Sequence, residues 1–178
     1  YKRQGGKFAL GLEGSFGASK LEVYMADGSL QYEYPFSADY ITAIAMNYDG
    51  THGAVCTVRS EKGEMVSKLT ILDFNLEEPV AEFETRSNYL LAAYWAENGA
   101  IYCVGDTSLV LGRSGDYQFT EYSYQGRQLT AFELSAGRAF LSISPYEHGG
   151  TSTLLAFNGN EETGEKNPVR MEMEGRIE

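Results

Sequence analysis

The sequence predicts an all-β protein made of repeated four-stranded antiparallel meanders, the build of β-propeller blades. Three observations carry this. Residues 39–84 hold four short apolar segments, each closed by a polar or glycine-containing turn. A second copy of that pattern begins at Asn88, and DYITAIAMNYDG lies over NYLLAAYWAENG at a constant offset of 49 without a gap. A third copy opens at Leu129 with LTAFELSAG, 39 residues after Leu90. Units of roughly 40–50 residues with four short strands mark propeller blades, because a lone four-stranded sheet has two faces to bury and stacking on neighbours buries both.

The elements follow in order. Residues 1–7 (YKRQGGK) form a basic lead-in, and 8–12 are a short strand. Residues 13–19 form a glycine-containing loop. Residues 20–25 alternate Leu21, Val23 and Met25 against Glu22 and Tyr24, a period of two that predicts a strand with one buried face. Asp27-Gly28 then predicts a type I′ turn, or a type I turn with a bulge, with Gly28 at positive φ. Residues 30–36 return as the partner, and Pro35, which has no N–H, predicts a sheet edge. This opening unit is expected to lack its first strand, so residues 1–37 read as a partial blade. Complete blades are expected over 38–87, 88–126 and 127–175, with 176–178 entering another. About three and a half blades in one array predict part of a larger propeller. Leu21, Val23, Phe140 and Leu154 are then expected on raw outer faces, open to self-association.

Composition narrows the function. The net charge of −11 argues against nucleic acid, since a phosphate backbone would be repelled. No run of 18 apolar residues exists to span a membrane as a helix. The two cysteines, Cys56 and Cys103, sit in apolar strand segments and read as buried, reduced thiols in neighbouring blades, spaced too far apart for a disulfide. His52 and His148 are the only histidines and supply no zinc pattern. No serine lies in a nucleophile elbow, and no glycine run carries the lysine of a phosphate loop. No catalytic residue, metal site or cofactor is therefore expected.

The pattern K-LEVY--DGSLQYEY, then -YITAIAMNYDG, then --AVCTV resembles the WD40-like and quinoprotein-like propeller superfamily. More closely, it resembles a propeller domain of unknown function from Gram-positive bacteria. The resemblance implies a propeller fold and, for many members, an N-terminal membrane anchor with the propeller outside the membrane. The chain departs from WD40 repeats in having Ala96, not Asp, after Trp95, and from quinoprotein enzymes in having a single tryptophan.

These readings favour a non-enzymatic scaffold that binds a protein or a surface ligand. The alternative is a propeller-fold enzyme, a glycoside hydrolase or quinoprotein-like oxidoreductase. In a propeller, the loops from fourth strand to first and from second to third share one face. The candidate binding residues on those loops are Asp39, Tyr40, Asn88, Tyr89, Arg127, Tyr146 and His148, with Gln128, Glu61, Glu64 and Asp106 beside them. Tyrosine at the same place in two copies, Tyr40 and Tyr89, fits either a recognition surface or a cap on the blade core.

Overall fold

The computed structural model describes residues 2–4, 6–14, 18–146, 150–158, 168–175 and 177. It is all-β, with four antiparallel four-stranded sheets. The first sheet runs β1 (Lys2–Gln4), β2 (Lys7–Glu13), β3 (Ser19–Met25), β4 (Leu30–Phe36). The second runs β5 (Tyr40–Met46), β6 (His52–Glu61), β7 (Glu64–Asp73), β8 (Ala81–Thr85). The third holds β9 (Leu90–Trp95), β10 (Ala100–Gly105), β11 (Ser108–Arg113) and β12 (Thr120–Ser123). The fourth holds β13 (Gln128–Ser135), β14 (Arg138–Ser144), β15 (Thr151–Asn158) and β16 (Val169–Glu174). Every sheet is an in-order meander, the blade pattern expected.

One expectation changes here. The opening unit is not missing a strand: Lys2–Gln4 pairs with β2, Arg3 opposite Phe8, and completes a four-stranded sheet. A three-residue edge strand needs no apolar alternation, so the polar lead-in hid it. The chain also divides into two compact units, Tyr1–Trp95 with Cys103–Gly105, and Ala96–Tyr102 with Asp106–Glu178.

The turns explain the repeat. Gly28 takes φ 86°, while Ala26 and Asp27 stay at negative φ. Its N–H donates to the Met25 carbonyl at 3.0 Å and the Met25 N–H to the Ser29 carbonyl at 2.9 Å, a type I turn with a glycine bulge. Asp27 Oδ1 accepts from the Ser29 N–H at 2.9 Å and the Ser29 hydroxyl at 2.6 Å. The offset of 49 reappears as geometry. Gly50 and Gly99 both have positive φ, and their N–H groups donate to the carbonyls of Asn47 and Ala96 at 3.1 and 2.9 Å.

In the first unit, the first two sheets bury Ala9, Leu21, Val23, Phe36, Ile44, Met46, Val55, Leu72 and Phe74 in one cluster. Gly11 in β2 lets them close, since a Cβ there would press on Ile41 and Ile44 at 3.2 Å. This corrects a further expectation: Leu21 and Val23 are fully buried against the second sheet and lie on no raw face. The alternation identified an apolar face but not the neighbour that covers it. On the other side of the second sheet, β9 packs on β5 and β6, and the Thr42 hydroxyl donates to the Leu90 carbonyl at 2.6 Å. Cys56 and Cys103 are free and buried, as expected. Cys56 stands beside Cys103, and its thiol, with burial, pushes the Cys103 pKa well up. Side chains projecting toward each other from stacked strands close most of a 10 Å backbone gap.

Each third strand carries a buried serine in its first half: Ser19 and Ser108 are first, Ser152 second and Ser67 fourth. Three of them tie down the chain leaving the sheet. Ser19 donates to the Asp39 carbonyl, and Ser67 accepts from the Leu90 N–H at 3.3 Å. Ser152 donates to the Gly175 carbonyl at 2.5 Å and accepts from the Ile177 N–H at 3.3 Å.

The fourth sheet is two-faced. Leu141, Leu155, Ala139 and Phe157 are buried, with Tyr122 meeting Phe157 edge-on at 5.2 Å. On the face turned away from Tyr122, Leu154 pairs with Met171 and Ala156 with Val169. Val169, Met171 and Met173 are 72%, 58% and 42% exposed, and Phe140, Leu154 and Ala156 are half-buried.

Candidate functional site

Asp39 and Arg127 directly precede the first strands β5 and β13, and Asn88 stands two residues before β9. Their chemistry differs each time. Asp39 is buried, accepting at Oδ2 from the Thr57 hydroxyl at 3.1 Å, with Arg59 3.9 Å away. Asn88 is buried too, over Gly105, where any Cβ would overlap its amide. Two of the expected binding residues are thus enclosed by their own sheets. Tyr40 and Tyr89 beside them are 47% and 40% exposed.

Glu61 and Glu64 join an ion network. Arg59 reaches Glu84 at 2.8 Å and Glu61 at 3.3 Å. Arg86 reaches Glu61 at 3.2 Å, Glu84 at 3.5 Å and Glu64 at 3.6 Å. The Arg59 hydrogen bond holds the Glu84 carboxyl below its usual range, and the Glu84 bond raises Arg59. Each cation here is matched by carboxylates of its own sheet, so the network braces the strand ends.

His52 is better placed than a surface-loop histidine. Its Nδ1 lies 2.9 Å from the Thr51 hydroxyl, its Nε2 3.6 Å from Asp73, and its ring 6.1 Å from Trp95. These contacts lock a turn; among the described residues no group of three or more His, Cys, Asp and Glu side chains is arranged to hold a metal.

Arg127 sits in a different setting, a polar cavity of about 50 Å³ lined by Tyr122, Tyr124, Arg127, Thr153, Arg170 and Glu172 among others. The Arg127 guanidinium donates to the Thr153 hydroxyl, which bonds both Glu172 oxygens at 2.9 Å. Arg170 donates to the Tyr122 hydroxyl at 2.7 Å, with its guanidinium carbon 5.9 Å from the ring centroid. The Tyr124 hydroxyl is buried without a hydrogen-bond partner. Burial and the charge of Asp106 push its pKa up, so it stays a protonated donor. Gln128 donates weakly to the Pro145 carbonyl at 3.5 Å, and Tyr146 is 66% exposed. His148 lies outside the described residues.

Arg127 was legible in the sequence; its companions were not. Arg170 and Glu172 stand in an acidic tail segment whose polarity reads as solvated surface. The usable signal was the alternation in VRMEME, which sends Arg170 and Glu172 to one face of β16 and Val169, Met171 and Met173 to the other.

No family model and no curated protein matches this chain. Solved structures do. The β-propeller domain of Myceliophteria thermophila Cps50 (Swd1) matches with a TM-score of 0.57 and 11% identity, over 96% of this chain and 59% of that one. Chaetomium thermophilum Raptor matches with a TM-score of 0.62 and 14% identity, over 88% of this chain and 14% of that one. At such identities the likeness establishes the propeller fold. This chain spans about three fifths of the first structure's length and a small part of the second's.

Proposed function

We propose that this chain is a non-enzymatic binding module of the propeller type. Its main docking surface is the face of the fourth sheet that carries Val169, Met171 and Met173. The observation that supports this is positional. Buried serines align Ser67-Leu69-Ile71 with Ser152-Leu154-Ala156, and therefore Ala81 and Phe83 with Val169 and Met171. In the second sheet Leu69, Ile71, Ala54 and Cys56 on this face are fully buried. In the fourth sheet the equivalent row lies open, a contiguous apolar patch of the kind that marks interaction sites. Covering it gains about 25 cal/mol per Å² of apolar surface.

The occupant is an apolar protein surface, with a second copy of this chain as the simplest case. Tyr40, Tyr89, Tyr146 and Arg127 complete the proposed recognition residues, each within its own unit. Asp39 and Asn88 support Tyr40 and Tyr89 from beneath. The blade limits at 37/38, 87/88 and 126/127 are part of this proposal.

Methionine methyl resonances test it. On raising the protein concentration, Met171 and Met173 should shift and broaden, while buried Met46 stays fixed. Invariance of all five methionine methyls across the range, with no response to added partner proteins, contradicts the docking face.

A further inference from the structure

We propose that the cavity between β12 and the Arg127–Thr153–Glu172 chain is a binding subsite for a single carboxylate group. The first argument is charge. Of the 39 ionisable Asp, Glu, Lys and Arg residues, 25 are acidic, and Arg59 and Arg86 each hold several carboxylates. Arg127 and Arg170 face one cavity, yet among the described residues neither makes an ion pair; their hydrogen bonds go to the hydroxyls of Thr153 and Tyr122. Among the described residues Glu172 is the one carboxylate in the lining, and both of its oxygens take the Thr153 hydroxyl. Two guanidiniums against one carboxylate leave a single positive charge unmatched, which suits a monoanion better than a dianion.

The second argument is Tyr124, a residue of this lining whose hydroxyl is buried and, among the described residues, has no hydrogen-bond partner. A buried unpaired hydroxyl is costly, and a carboxylate oxygen is an acceptor for it. The third is size and geometry. About 50 Å³ exceeds what one water needs and admits a carboxylate head group with one methyl. Guanidinium forks match planar carboxylates with two parallel hydrogen bonds. Tyr122 holds the Arg170 fork from its hydroxyl and ring, so little ordering remains to be done on binding.

The carboxylate is either free in solution or part of an acidic side chain of a protein; the chemistry is shared, and the experiment separates the sources. Arginine side-chain NMR of the 178-residue chain is followed during titration with sodium acetate, with N-acetyl-aspartate amide, and with sodium chloride at matched ionic strength. The expected result is saturable shifts at Arg127 and Arg170 with acetate and none beyond a linear drift with chloride. Saturation with the aspartate derivative as well assigns a side-chain carboxylate; saturation with acetate alone assigns a small free acid. Arg127→Gln and Arg170→Gln should each weaken binding by at least about tenfold, as loss of a charge-assisted pair does. Glu172→Gln should tighten it by removing a competing negative charge. A linear acetate response equal to that of chloride overturns the proposal, as does saturation that persists in both arginine variants while their β14 amides keep native shifts. The methionine test reads the opposite face of β16, so failure here leaves the docking proposal standing and the reverse also holds.

Discussion

Two buried tyrosines show how one hydroxyl can be structural and another spare. Tyr102 donates to the Gly137 carbonyl at 2.9 Å, whereas the Tyr124 hydroxyl has no partner. Tyr102→Phe should therefore cost roughly 0.5–1.5 kcal/mol, the net worth of a hydrogen bond. Tyr124→Phe should be neutral or slightly stabilising in the absence of a ligand. Urea midpoints of the two variants, compared at equal slope, check the contrast; equal losses would place a structural bond on Tyr124. The thiols offer a second test at this scale. Cys56 and Cys103 should resist a thiol reagent in the native protein and react together on unfolding, since both are buried and the Cys103 pKa is pushed up. Rapid native labelling would place them at a surface. Residue identity alone gave their burial, but not their contact, which depends on which strands face each other across two sheets.

Turns and strands were the most readable elements. The expectation over 30–36 coincides with β4, and Gly28 adopts the positive φ its turn requires. Nothing lies within 4 Å of a Cβ added to Gly28, so Gly28→Val tests backbone strain without a steric clash. It should destabilise by about 1 kcal/mol or more, with Gly28→Asn retaining more stability because asparagine tolerates that region. An unchanged melting temperature in the valine variant would count against the turn geometry. The turn carboxylates set a pH dependence. Hydrogen bonds from Ser29, Thr51 and the Asn75 N–H hold Asp27, Asp49 and Asp73 below the usual carboxylate range. A depressed folded pKa contributes stability that is present above the unfolded value and lost as pH falls through the folded one. Melting temperature should thus hold from neutrality to about pH 4 and then decline, with a smaller decline in Asp49→Asn. The short first strand and the serine staples escaped the sequence reading for one reason. Both are carried by polar residues, on which hydrophobic periodicity is silent and only register reveals the role.

At the scale of the whole molecule, repetition was legible and the open face only in part: Phe140 and Leu154 were expected on an outer face, Val169, Met171 and Met173 were not. The offset of 49 between two copies is enough to name a blade array, because blades differ little in backbone. Which faces stay open depends on neighbours: Leu21 and Val23 are covered by one, whereas Met171 is 58% exposed. The same limit applies to the cavity, where Arg127 comes from one segment and Arg170 and Glu172 from another about 45 residues later. The central claim is that the Val169–Met171–Met173 face is a docking surface built like an inter-blade contact. Sedimentation equilibrium over a wide concentration range, on the native chain and on Met171→Lys, tests it most directly. Met171 is already exposed, so the lysine should leave the fold intact while placing a charge at the centre of the patch. The account predicts reversible association of the native chain that Met171→Lys abolishes with an unchanged circular dichroism spectrum. A native chain that stays monomeric throughout, without binding an apolar dye, or a lysine variant that associates as strongly as the native chain, would contradict it.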